Sequence, residues 1–304
     1  MRKQPDSSKD GRDMQGLLVM NEFGQTESFV LLRQALMAAA YRLGMGLTLR
    51  TNAALLFDAA CGKPLFPAEP YDFCLFWDKD ILLGRQLTAG GLRLFNSIDA
   101  IEIADDKART HLCLGAHGLP QPKTIIAPLT FAGLGYNNLH FLTRAGDYLG
   151  FPMVIKECHG SFGWQVYLAN TWDDAAGILM QHAPSPMILQ EFVHERVGED
   201  IRVYVVGGKA IAAIRRQNSR DFRANVSSGG VAESYIPTSE ETSLALAAAK
   251  ALGLDFAGVD LLMGRDGPLL CEVNSNAHFR GLSARTGVDA AEAILLHIRN
   301  SVGQ

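Results

Sequence analysis

The tract AGVDLLMGRDGPLLCEVNSN, residues 257 to 276, leaves few ways to fold. Two apolar runs, Phe256 to Met263 and Pro268 to Val273, flank Gly264-Arg265-Asp266-Gly267, a turn signal between two strands. With a three-residue loop, Arg265 to Gly267, Asp260 falls directly opposite Glu272. Side chains alternate along a strand, so Asn274 shares the face of Glu272. The neighbours Val259, Leu261, Cys271 and Val273 are apolar, which predicts a half-buried polar row. Two carboxylates and a carboxamide supply the hard oxygen ligands that magnesium prefers. Such an ion also removes the cost of burying unpaired carboxylates. The plain alternative is a solvated strand face.

The rest of the chain reads as mixed α/β. Ile201 to Val206 and Lys209 to Arg215 form a second hairpin about Gly207-Gly208. A helix with acidic residues in its first turn starts at Ser239 and ends at Gly253. Near the start, strand Gly16 to Met20, helix Ser28 to Leu43 and strands Leu47 to Arg50 and Phe73 to Trp77 read as a parallel unit. A helix runs from Asp105 to Ala116, and the tract Ile125 to Asn138 reads as a connecting loop. Strands Met153 to Glu157 and Gln165 to Ala169, helix Trp172 to Gln181 and the strand beginning at Met187 follow. The expected organisation is a flexible leader over 1–15, an N-terminal α/β domain over 16–104, a central domain over 105–186 and a C-terminal domain over 187–304.

Composition narrows the function. With 48% hydrophobic residues the 304-residue chain can bury a sizeable core. Lys and Arg number 28 against 32 Asp and Glu, a net charge of -4. That balance argues against a nucleic-acid or anionic-membrane partner, which needs a basic surplus. No apolar run approaches the ~20 residues that cross a bilayer. Five cysteines without close pairing and eight histidines without ligand spacing do not suggest zinc. A reducing, cytoplasmic setting is the expectation.

Several residues can carry chemistry. The loop His159-Gly160-Ser161-Phe162-Gly163 lets backbone approach phosphate oxygens, although a glycine pair is also simply a turn. Lys156 stands in an apolar strand and needs an anion, either a glutamate or a phosphate. Lys107 can add a second phosphate contact or be an exposed helical lysine. Gln190-Glu191-Phe192-Val193 ends a strand and can offer backbone groups to an adenine edge. Arg202, Arg215, Arg216, Arg220 and Arg223 form a basic group in an acidic chain, able to clamp carboxylate or phosphate. Arg216 and Arg220 are expected to be solvated. No GxGxxG follows the first strand, against a nicotinamide enzyme.

In order, Asp105-Asp106-Lys107, FPMVIKE with HGSFGWQV, LQEFV, GEDIRVYVVGGKAIAAIRRQNSRDFRANVSSGG and AGVDLLMGRDGPLLCEVNSNAH resemble the ATP-grasp superfamily and, within it, the RimK-like α-L-glutamate ligases. The resemblance spans about Asp105 to Gly287. It implies the ATP-grasp fold: an N-terminal parallel α/β domain, a central lid and a C-terminal antiparallel sheet domain. It makes Lys107 and Lys156 the phosphate-binding lysines and Gly160, Ser161 and Gly163 part of the loop over the triphosphate. Glu191, Phe192 and Val193 become the adenine-binding linker, Asp200 a ribose contact, and Arg223 and Asn225 nucleotide or acyl-phosphate contacts. Asp260, Glu272 and Asn274 become ligands of two Mg or Mn ions. Arg202, Arg223 and Lys156 become the catalytic cations.

The implied reaction is ATP-dependent ligation of a carboxylate to an amine through an acyl phosphate, with ADP and phosphate released. The implied substrates are a small-molecule or peptide carboxylate and an amine or amino acid, glutamate by the family's name. Homo-oligomers are common among such relatives. The chain departs from the ribosomal-protein-modifying members at Ser275 to Arg280, where they carry a small-Pro-Gly turn. There His278 reads as a base for the amine or as a loop histidine. Trp77-Asp78-Lys79-Asp80 and Asn21-Glu22 read as substrate contacts or strand-end structure. An ATP-grasp phosphotransferase and a non-catalytic nucleotide-binding module are the competing functions.

Overall fold

The computed structural model describes residues 14–67, 69–160, 163–225 and 229–302. The expected leader therefore lies outside the described residues except for its last two positions, and so does Ser161. The chain divides into two compact units, one of Met1–Phe95 with Ala291–Gln304, the other Asn96–Ala290.

The first unit carries a parallel sheet. Strands β1 (Gln15–Met20), β2 (Gly46–Thr51), β3 (Phe73–Trp77) and β4 (Leu94–Phe95) lie in the order β2-β1-β3-β4. The apolar runs of β1 and β3 are buried almost throughout, as expected of central strands covered on both faces. Helices α1 (Glu27–Arg42) and α2 (Ile81–Ala89) make the crossovers. Asp80 caps α2, its Oδ1 accepting from Leu83 N at 3.0 Å. The C-terminal helix, Ala290–Val302, brings Glu292 to Arg42 and sets His297 edge-on to Phe95. Helix α2 and the two-residue β4 are additions to the expected elements.

The second unit holds two antiparallel sheets. Its elements are α3 (Ile98–Asp105), α4 (Lys107–Ala116), β5 (Thr124–Ile126), α5 (His140–Leu149), β6 (Met153–Glu157), β7 (Val166–Ala169), α6 (Trp172–His182), β8 (Met187–Glu191), β9 (Glu199–Val206), β10 (Lys209–Gln217), β11 (Val231–Tyr235), α7 (Ser239–Ala251), β12 (Phe256–Gly264), β13 (Gly267–Asn274) and α8 (Arg280–Thr286). The smaller sheet runs β5-β8-β6-β7 and packs Met153, Ile155, Met187 and Leu189 onto α5 and α6. The larger runs β11-β10-β9-β12-β13 and packs Val203, Val205, Val259 and Val273 onto α7, with Ala100 and Leu114.

Three local expectations change. Asp105 ends α3, and Asp106 caps α4, accepting from Ala108 N and Arg109 N. The tract expected as loop from Ile125 begins as β5, paired antiparallel with β8. The β12–β13 turn is tighter than expected, with Gly264 opposite Gly267. A bulge restores the predicted pairing: Leu261 faces Leu270, yet Asp260 still faces Glu272. Cys271 is the surplus residue and leaves the apolar face on which alternation had placed it.

Candidate active site

The cleft of the second unit is built by α4, the ends of β6 and β8, and the row β10-β9-β12-β13. Asp106 fixes the start of α4, and Lys107 N donates to Cys158 O at 3.0 Å. Ala108 packs on Cys158 and Ile188 beneath. Lys107 Nζ then reaches Gly160 O at 3.4 Å and Glu272 Oε1 at 4.0 Å. Lys156 projects from β6 into the same cleft and is 7% exposed. Its Nζ lies 3.7 Å from Cys271 Sγ, and among the described residues no carboxylate is within ion-pair distance of it. A buried ammonium without an acidic partner is expensive, so this position calls for an anionic ligand.

The glycine loop borders the lysines. Gly160 has φ +153°, a backbone conformation that favours glycine, and a Cβ there would stand 2.4 Å from Gln165 Oε1. That oxygen is buried without a hydrogen-bond partner among the described residues. Arg223 is held by Asp221 at 2.7 Å and donates from Nη1 to Gly163 O at 2.9 Å, bracing the loop's far end. Asn225 lines the cleft beside it.

On the apolar side, Glu191 at the end of β8 and the following Phe192 and Val193 run along the wall, with Val154 and Leu262. Glu191 Oε1 accepts from Lys123 N at 2.8 Å. The Phe192 ring stands 6.2 Å from that of Phe222 and 4.9 Å from that of His194.

Across the larger sheet, arginines and carboxylates alternate. Arg216 pairs with Asp200 between β10 and β9, and Arg202 with Asp260 between β9 and β12. Arg202 donates to both Asp260 oxygens at 2.6 Å. Arg216 donates to both Asp200 oxygens, at 2.6 and 2.5 Å, and its Nη2 lies 2.9 Å from Asp260 Oδ2. The solvated Arg216 expected from sequence is thus wrong: it is 4% exposed and welds two acids together. Arg220 is exposed, and Arg215 pairs with Glu233 on β11. Burial works to raise the Asp260 carboxyl, but Arg202 and Arg216 outweigh it and hold the group below its usual range. Asp200 is raised, because burial outweighs its arginine partner. His278 is lowered by burial and by the neighbouring charge of Arg202.

The donor set Asp260, Glu272 and Asn274 fits a hard divalent cation. Glu272 is a third exposed into the cleft, and the Asn274 side-chain nitrogen is buried without a partner among the described residues. Turning that amide would present an oxygen beside Glu272. Both Asp260 oxygens are engaged by Arg202, and one also by Arg216, so in this arrangement Glu272 and Asn274 are the members of the set not held by an arginine. Among the described residues no cluster of three or more His, Cys, Asp or Glu side chains is arranged for a metal, and here the third donor is an amide.

Sequence reasoning missed four positions. Gln165 and Arg216 have been described. Asn96 is fully buried, donating to Phe256 O and Ser275 O and accepting from Asp255 N and Phe256 N, which fixes the roots of β12 and of the loop after β13. His111 lies beneath the cleft wall, bound to Gln121 and Gln190. Arg216 stands in the polar stretch Arg215 to Asn218 and carried no local signal of its burial, and nothing marked Asn96.

A family model of the RimK-like ATP-grasp domain matches residues 104–298. A probable alpha-L-glutamate ligase of Xanthomonas axonopodis pv. citri (strain 306) is 38% identical over 221 residues, 72% of either protein. One from Parasynechococcus marenigrum (strain WH8102) is 35% identical over 222 residues, 72% of this chain but 46% of that protein's length. The crystal structure of a RimK domain protein ATP-grasp from Sphaerobacter thermophilus DSM 20745 superposes with a TM-score of 0.72 at 22% identity, covering 93% of this chain and 98% of that one. Among the described residues no helix is long and apolar enough to cross a membrane. The chain therefore belongs to the RimK-like ATP-grasp family of ligases.

Proposed function

We propose that this chain uses ATP to join a carboxylate to an amine in the cleft of its second unit. The observation that carries the reading is Lys156, a buried ammonium with no acidic partner among the described residues, converging with Lys107 beside a glycine loop. Lys107 and Lys156 hold the triphosphate, and the wall of Glu191, Phe192 and Val193 receives the base, with Asp200 and Asn225 as further nucleotide contacts. A carboxylate oxygen of the substrate attacks the γ-phosphorus, the bond to the β,γ-bridging oxygen breaks, and ADP departs. The amine nitrogen then attacks the acyl carbon, and phosphate leaves as the amide forms.

Arg202 and Arg223 face the charge that develops on the acyl and phosphoryl oxygens. Two magnesium or manganese ions at Asp260, Glu272 and Asn274, when bound, would neutralise triphosphate oxygens. The glycine loop, braced by Arg223, excludes water from the acyl phosphate. Glutamate is the proposed amine substrate, following the name of the Xanthomonas relative, and a metabolite or peptide carboxylate the acceptor.

Replacing Lys156 with Ala is expected to lower ADP release at least a hundredfold while circular dichroism stays that of the wild type. Wild-type turnover in a folded K156A protein would remove this lysine from the reaction.

A further inference from the structure

From the polarity of one buried hydrogen-bond relay we infer that Gln190 selects adenine over other purines, by presenting its side-chain oxygen as a fixed acceptor to the 6-amino group. The inference rests on the reading of the cleft as an ATP site. Gln190 lies in β8 between Thr124 of β5 and Val154 of β6, directly cross-strand from both. Cross-strand neighbours share a face. Val154 and Gln190 both line the cleft, whereas Met187, Leu189 and Ile155 face the core behind. The next residues along the chain, Glu191 to Val193, are the apolar wall assigned to the base.

The orientation of the Gln190 amide follows from its neighbours one bond at a time. Gln121 Nε2 donates to the backbone oxygen of His111 at 3.0 Å, which leaves Gln121 Oε1 facing His111 Nδ1 at 2.6 Å. That oxygen can only accept, so His111 carries its proton on Nδ1. Its Nε2 is then a bare acceptor, and it meets Gln190 Nε2 at 3.2 Å. Gln190 Nε2 gives its other proton to Thr124 Oγ1 at 2.9 Å. Both amide protons are thereby spent inside the protein. Gln190 Oε1 has no hydrogen-bond donor among the described residues and is the atom left for a ligand. Turning the amide over would set its oxygen against the bare nitrogen of His111, so the relay forbids it. Burial keeps His111 neutral, which preserves the polarity.

An acceptor held in this way welcomes the 6-amino group of adenine and repels the 6-oxo group of hypoxanthine or guanine. Gln190 is then a specificity residue, and His111 and Gln121 are positioning residues that act through it. His111, Gln121 and Thr124 are not among the residues that line the cleft.

The test is equilibrium calorimetry of the full-length protein with the triphosphates of adenosine, inosine and purine riboside, the last lacking any 6-substituent. Wild type should bind ATP about tenfold more tightly than purine riboside triphosphate, the inosine nucleotide binding weakest. In Q190M and in H111F the adenosine and purine riboside affinities should converge to within about twofold, with purine riboside triphosphate binding as in wild type. That last value reports an intact cleft, so a fold defect, which weakens all three nucleotides together, is separable. If either variant retains the wild-type ratio with purine riboside binding intact, the inference is overturned. Equal wild-type affinity for ATP and purine riboside triphosphate also overturns it. Wild type binding none of the three would instead sink the ATP reading beneath it.

Discussion

His111 shows how a single side chain can report on the site from below. Burial and the charges of Lys156 and Lys107 push its imidazole from an ordinary value near 6.5 down to about 4, against the hydrogen bond it donates to Gln121. The unfolded chain thus binds a proton that the folded protein refuses. The resulting contribution is complete above about pH 6.5 and is lost as pH falls towards 4, a change of about 3 kcal/mol. Urea denaturation at intervals from pH 7 to 4 should show stability falling through that window, with a smaller fall in H111F. A stability profile equal in the two proteins would contradict the buried neutral ring. None of this was readable in the sequence, where the histidine sits in an ordinary helix and its partners lie 10 and 79 residues away.

At the scale of elements, the polar row of the larger sheet holds two arginines against two acids. Asp200 and Arg216 pair across neighbouring strands of one hairpin, whereas Arg202 meets Asp260 only because β12 lies against β9. Removing one cation strands buried carboxylates. R216M is therefore expected to cost about 3–5 kcal/mol in denaturant titrations. The double change R216M with D200L should recover a large part of that loss, since it removes a matched pair. Equal destabilisation in the single and double variants would mean that the pair is not coupled. The Asp260–Glu272 pairing was legible because turn residues and alternation are local signals. The bulge at Cys271 was not, because one surplus residue and a turn one residue shorter give the same register. Arg216 was misread for the opposite reason: its burial depends on strand order, which no local pattern encodes.

For the whole molecule, the sequence located the hairpins, the first three parallel strands and the lysine-bearing tracts, each with a short-range signature. It did not reveal that the C-terminal helix belongs with the N-terminal strands, where Arg42 meets Glu292 across 250 residues. Nor did it reveal the close approaches that make the cleft, such as Lys156 to Cys271. Those contacts are consequences of the closed fold, and the proposed chemistry depends on them more than on any single motif.

The most direct test of that chemistry is magnesium-dependent ADP release from ATP with pools of carboxylates and amino acids, glutamate among them, followed by mass spectrometry of each reaction. The predicted result is ADP, phosphate and a product lighter by one water than its two combined reactants, all lost in E272Q. ADP accompanied by a phosphorylated product and no amide, or undiminished amide formation in E272Q, would contradict it.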